Sequence, residues 1–281
     1  MSDAAADQTI AAASTVIVLR EASEGFETFM LCRHQQSGFM GGAHVFPGGK
    51  VDADDREPFW RDRVDRPAEE ITAQLGETDV ESGLALLVAA VRETFEESGV
   101  LLGTARTDVD LRAARERLNG GVSFTDLAQE MGLTLDSTAL TPYARWVTPK
   151  MESRRFDTRF YVALLPEGQI ATHDGTETTS ARWLRPLSAI DDMLKGRIKL
   201  APPTVRTLQW LMGFGDAKSA IDDASSRMPP LVRPRIVAGP GGWFLALPGD
   251  PEHPEREPAL PGATRMVLED GAWRDAAPPV R

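Results

Sequence analysis

Between Leu84 and Ser98 the chain carries its most regular helical pattern, and Gly99 closes it. On a wheel of about 100° per residue, Leu84, Leu87, Val88, Val91 and Phe95 fall within roughly 60° either side of one direction. Glu93, Glu96 and Glu97 fall on the other side, between roughly 120° and 220°. An apolar stripe of that width has to be covered by a sheet or by further helices, so this helix belongs to a layered core. The acidic side poses a second constraint. Carboxylates at i, i+3 and i+4 repel one another, and they sit near the helix C-terminus, where the dipole disfavours anions. Stability alone gives little reason for that pattern. Hard oxygen donors grouped in this way suit Mg²⁺ or Mn²⁺. Three glutamates are also an ordinary solvated helix face, so the rest of the chain has to decide.

Around this helix the pattern alternates. Val16–Leu19 and Thr28–Cys32 read as a hairpin. A Gly-rich loop from Ser37 to Gly49 ends in Phe46-Pro47-Gly48-Gly49. Helical stretches follow at Leu111–Leu118 and from Ser123 to Met131. Tyr161–Leu165 reads as a strand, and Pro202-Pro203 opens another helix. Strands interleaved with helices, without a long βαβ series, predict an α/β fold with a mixed sheet between helices. Residues 1–13 read as a flexible tail and 14–215 as the main domain, with insertions at 53–82 and 103–140. Residues 216–281 read as a linker, 216–234, followed from Ile236 by a small C-terminal β extension, interrupted by the Pro-rich stretch 248–261.

Composition narrows the function. The formal charge over 281 residues is −11, which disfavours wrapping nucleic acid, because phosphate neutralisation needs clustered Lys and Arg. A polyanionic ligand has to be met by metal ions or by a few local cations. Cys32 is the single cysteine, so no intrachain disulfide forms, in keeping with a reducing compartment. The four histidines, His34, His44, His173 and His253, have no zinc-protease spacing. No secretory signal, membrane span or lipidation motif is visible, and the expectation is a cytoplasmic protein. A Gly-x-Ser-x-Gly elbow is absent, and His44 occupies the position where a phosphate loop ending at Gly49-Lys50 would need glycine.

Arg92-Glu93-x-x-Glu96-Glu97-x-Gly99-Val100, preceded by Gly49, resembles the Nudix box, Gly-x5-Glu-x7-Arg-Glu-U-x-Glu-Glu-x-Gly-U, with U aliphatic. Thr94 stands at the first U. Forty-two residues separate Gly49 from Arg92 where the contiguous box has thirteen, so twenty-nine are extra. The box glutamate falls on Asp55 by spacing, with Glu77 and Glu81 as other stand-ins. A box split at this point is similar to that of the nudix-type motif 19 family, animal peroxisomal coenzyme A diphosphatases with bacterial relatives. The likeness extends to Gly38-Phe39-Met40, Gly42 to Phe46, Trp146 to Pro149, Arg154 to Thr158, Pro202-Pro203 and Leu247 to Asp250.

The resemblance implies a Nudix fold and water attack on a phosphorus of a diphosphate, with Mg²⁺ or Mn²⁺. It implies metal donors at Glu93, Glu96 and Glu97, with the Gly49 carbonyl. Arg92 would orient these carboxylates, and Glu96, Glu97 and Glu177 are the candidates for the chemistry itself. Arg33, Phe46, Gly48, Arg154, Arg155 and Phe156 are the candidates for holding substrate: guanidinium groups take phosphate bidentately and Phe156 offers a stacking face. Arg33, Gly42 and Phe46–Gly49 also fit a coenzyme A signature of other Nudix diphosphatases. Gly38 stands where that signature has its second arginine, which the motif 19 branch also lacks. Coenzyme A or acyl-coenzyme A is therefore the favoured substrate. NADH, ADP-ribose or a nucleotide sugar is the alternative within the same chemistry, and a catalytically silent binding module is the alternative outside it. A homodimer is a further expectation from the resemblance alone.

Overall fold

Strand β1 (Ala11–Glu21) runs through the middle of the fold. Val16, Ile17, Val18 and Leu19 are all fully buried, so the strand is covered on both faces. Alternation along it feeds two cores. Val16 and Val18 pack with Leu84, Leu87, Val88, Val91 and Phe95, the apolar stripe of the helix, whereas Ile17 and Leu19 enter a second core on the opposite face. The fold is thus α/β, a mixed sheet between two apolar layers. The structure, a computed structural model, describes residues 10–35, 40–175, 178–239 and 242–277.

After β1 come β2 (Phe26–Arg33), β3 (Ala43–Val45) and β4 (Gly48–Lys50). Helices α1 (Ala68–Gln74) and α2 (Val80–Ser98) follow, then β5 (Gly103–Thr104), α3 (Leu111–Asn119), α4 (Phe124–Met131) and β6 (Thr134–Leu135). Next are β7 (Thr141–Val147), β8 (Phe156–Leu164), β9 (Thr178–Leu184), α5 (Pro186–Leu194), β10 (Lys199–Leu200), α6 (Pro202–Leu211), α7 (Ala217–Ser225) and β11 (Leu231–Val232). The main sheet has the order β10-β3-β2-β1-β8-β7-β11, with β1 and β8 parallel and β1 and β2 antiparallel. One edge of β1 serves two partners. Its second half pairs with β2, and its first half pairs with β4, Ser14 opposite Gly49. That sharing lays the Gly48–Gly49 segment beside α2.

Several boundaries differ from the sequence expectation, each for a tertiary reason. The strand begins at Ala11, inside the stretch read as a tail, because Ala11–Ala13 pair with Phe156–Thr158 of β8. Residues 216–234, read as a linker, contain α7, whose Ala217, Ala220 and Ala224 are buried in the second core, and β11, which joins the main sheet beside β7. Helix α2 starts at Val80, four residues early, where the Asp79 carboxylate accepts the Ser82 N–H at 3.0 Å. The insertion 53–82 holds two 3₁₀ turns, Asp54–Arg56 and Pro58–Asp62, and α1. It packs on the second insertion: Trp60 stacks on Phe124 at 5.2 Å. The Asp54 carboxylate accepts from Ser123 Oγ at 2.9 Å and from Thr125 N–H at 3.1 Å, at the start of α4.

The C-terminal β extension is a four-stranded antiparallel sheet: β12 (Arg235–Gly239), β13 (Gly242–Ala246), β14 (Arg265–Glu269) and β15 (Ala272–Asp275). Leu245, Leu247 and Met266 enter the second core, so this sheet shares its interior with the main one. The Pro-rich connection is pinned by Asp250, fully buried, whose carboxylate takes Nε and Nη2 of Arg265 at 2.8 Å each. Burial opposes ionisation of Asp250, but the Arg265 hydrogen bonds outweigh it and hold the carboxyl below its usual range. Asp250→Asn keeps the shape and removes the charge from a bidentate pair, so it is expected to cost about 2 kcal/mol. A lowered midpoint in denaturant at unchanged slope is the readout.

Candidate active site

The site begins where β4 meets the outer face of α2. The Gly48 N–H donates to Glu97 Oε2 at 2.9 Å. At Gly49 a side chain has no room, because a Cβ there would stand 2.4 Å from the Glu93 carboxylate. Gly49→Ala therefore has to displace Glu93. A shift of about 1 Å at a reacting centre costs on the order of a hundredfold, so kcat is expected to fall by that order with little change in melting temperature. Steady-state rates and a thermal melt on the same preparation check both halves.

Arg92 organises the carboxylates. It is buried, and its five N–H donors are all engaged by the chain itself. Nε and Nη2 hold the two Asp55 oxygens at 2.8 and 2.9 Å. Nη2 also reaches the Lys50 carbonyl at 2.9 Å, and Nη1 reaches Glu93 Oε1 at 2.9 Å and Glu96 Oε2 at 3.3 Å. Burial alone would lower the Arg92 pKa. The Asp55 hydrogen bonds and the Glu93 charge outweigh it and hold the guanidinium firmly protonated. Arg92 thus has no donor left over for a ligand. Glu93 is raised to about 7, first by burial, with the Glu96 and Asp55 charges adding to it and Arg92 opposing.

Of the three stand-ins for the box glutamate, Asp55 is the one in contact with Arg92. It is buried, clasped by Arg92, and accepts the Asp52 N–H at 2.8 Å. Glu77 pairs instead with Arg145 and Arg159, and Glu81 with Arg61 on the surface.

Glu93, Glu96 and Glu97 line one wall of a cavity of about 630 Å³. Arg33, Lys50 and Arg154 line it too, together with Phe156, Asp52 and Asp174. Gly48 and Gly49 form its floor beside Thr15. Phe46 is buried in the second core and lines a neighbouring apolar cleft rather than this cavity. Arg155 lines neither among the described residues. Glu177 lies outside the described residues. Asp174, three positions before it, is an acid at the cavity that the sequence reading passed over, held by Thr178. His44 is buried in β3. Burial and then the Arg182 charge lower its pKa, which leaves it neutral near pH 7. The donor set is hard oxygen throughout, which suits Mg²⁺ or Mn²⁺. As placed, no three acid, His or Cys groups among the described residues converge on a single cation position.

The family model for the NUDT19 Nudix domain matches residues 3–211. The chain belongs to that family. Nudix relatives of this branch include the acyl-coenzyme A diphosphatase NUDT19 of Xenopus laevis, 30% identical over 86% of this chain and 75% of that protein. The human protein of the same name is 30% identical over 81% of this chain and 72% of its own length. Among solved structures, a Nudix hydrolase from Alicyclobacillus acidocaldarius superposes with a TM-score of 0.67 at 27% identity, covering 77% of this chain and 97% of that one. The chain is accordingly a Nudix enzyme, a hydrolase of phosphorus anhydrides. No helix among the described residues is long and apolar enough to cross a membrane.

Proposed function

We propose that this Nudix enzyme cleaves the diphosphate of coenzyme A or acyl-coenzyme A, with Mg²⁺ or Mn²⁺, in the cytoplasm. The observation that carries the reading is a single cavity lined by Glu93, Glu96 and Glu97 together with Arg33, Lys50 and Arg154. The names of the relatives point to the same substrate class.

Glu93, Glu96 and Glu97, with the Gly49 carbonyl, would hold the divalent ion. When bound, that ion supplies charge neutralisation on the diphosphate and acidifies water. The protein's own groups do the rest. Arg33 and Arg154 hold phosphate oxygens, and Lys50 lies 5.9 Å from the Phe156 ring, a face and a cation suited to the nucleotide end. Glu96, Glu97 and Glu177 are the candidates to take the proton of the attacking water, and Asp174 is a further acid at the cavity. Water adds at phosphorus, the bridging P–O bond breaks, and adenosine 3′,5′-bisphosphate separates from a 4′-phosphopantetheine species.

Product chromatography with Mg²⁺ or Mn²⁺ on coenzyme A, acetyl-coenzyme A, NADH, ADP-ribose and a nucleotide sugar tests this. Cleavage of coenzyme A and acetyl-coenzyme A, lost in Glu97→Gln, supports it. Cleavage of another compound instead keeps the chemistry and removes the coenzyme A assignment.

A further inference from the structure

A second cleft, of about 410 Å³, opens off the carboxylate cavity. The two share Thr15, Arg33, Gly48, Phe156 and Thr158, so a ligand passing Arg33 leaves the acidic wall and enters apolar surroundings. One side of the cleft is the main sheet, through Trp146 and Phe160. The other is the C-terminal sheet, through Ile236, Trp243, Leu245 and Trp273. This second side lies beyond residue 211, where the family match ends. Trp243 is 49% exposed, an unusual place for a large ring. It meets Trp273 edge-on at 5.7 Å.

We propose that the C-terminal sheet forms the subsite for the acyl chain of the substrate, in the apolar cleft contiguous with the carboxylate cavity. The proposal rests on the coenzyme A reading and deepens it. The chemistry of the lining decides between the two ends of such a substrate. Beyond Arg33 the described lining holds no Lys or Arg, and its other charged residue is Glu152. A nucleoside bearing a further phosphate would meet an anion there and no cation. An aliphatic thioester arm needs neither. At about 30 Å³ per water-sized group, the cleft takes on the order of a dozen methylene-sized groups. The sheet thereby sets chain-length preference, each buried methylene tightening binding about fourfold until the cleft is full.

The test separates the subsite from the reaction. S-acyl pantetheines from acetyl to decanoyl, which lack the diphosphate, are titrated calorimetrically into the full-length protein without metal. Expected is binding that tightens at least tenfold from hexanoyl to decanoyl and weakens at least tenfold in Trp243→Ala, which opens the cleft, and in Ile236→Trp, which fills it. With metal present, the ratio of kcat/KM for decanoyl-coenzyme A to that for coenzyme A falls in step in both variants. Equal affinity at every chain length overturns the proposal. So does displacement of the decanoyl compound by adenosine 3′,5′-bisphosphate, which assigns the cleft to the nucleoside. Chain-dependent binding without hydrolysis of any coenzyme A compound leaves the subsite standing and overturns the coenzyme A reading instead.

Discussion

Replacing Glu97 by glutamine is expected to lower kcat/KM for diphosphate hydrolysis about 10³-fold, near 4 kcal/mol of transition-state stabilisation, with the fold intact. The reason lies in what the substitution keeps. Glu97 is only 7% exposed, and one of its oxygens accepts the Gly48 N–H. The amide oxygen of glutamine accepts the same bond in the same volume, so the floor of the cavity stays in place. What disappears is the negative charge, which a metal donor or a general base both require. Varying metal concentration tells these apart: a lost donor is partly rescued by high Mg²⁺, whereas a lost base is not. Glu81→Gln is the matched control. Glu81 sits on the same helix but pairs with Arg61 at the surface, where such pairs are worth under about 1 kcal/mol. Its kcat/KM is expected to match that of the parent protein within twofold. A comparable loss in both variants would mean that α2 tolerates no neutralisation anywhere, and the assignment of Glu97 to the chemistry would fall.

The helix was the most legible part of the chain because one periodicity governed both of its faces. Leu84, Leu87, Val88, Val91 and Phe95 had to be buried together, and they are. The position of the carboxylates opposite them then followed from the wheel, and all three line the cavity. The less legible parts are those in which small or polar residues acquire structure from distant partners. Ala11–Ala13 have weak strand propensity and become a strand only because β8 and β4 flank them. Ala217, Ala220 and Ala224 give α7 a narrow apolar stripe that only the second core makes significant. Asp174 looked like any loop acid until the fold set it at the cavity. Spacing left Asp55, Glu77 and Glu81 open, and contact with Arg92 separates the first from the other two. The apolar cleft was invisible for a similar reason. Its two sides, near Trp146 and Trp243, are almost a hundred residues apart, and no local pattern links them.

Arg92→Met is expected to cost about 3–5 kcal/mol of stability, since removing one partner of a buried ion pair leaves the other uncompensated. The uncompensated group is Asp55, 1% exposed, and Glu93 and Glu96 lose the same cation. Lysine is not a remedy, because a point charge cannot reproduce the fork that holds both Asp55 oxygens and the Lys50 carbonyl together. A double replacement separates stability from chemistry. Asp55→Leu removes the stranded carboxylate, so the pair Asp55→Leu, Arg92→Met is expected to be about 2 kcal/mol more stable than the sum of the single effects. Its activity is expected to stay as low as that of Arg92→Met, because Glu93 and Glu96 remain without the group that aims them. Denaturation curves for the four proteins give the coupling, and rates at saturating Mg²⁺ give the activity. Restored stability with restored activity would mean that Arg92 serves the fold alone. Restored stability without activity places Arg92 where its five bonds put it, at the hinge between the 53–82 insertion and the carboxylates. The insertion then has a physical purpose: Asp54 ties it to α4, and the adjacent Asp55 passes that rigidity through Arg92 to the wall of the cavity.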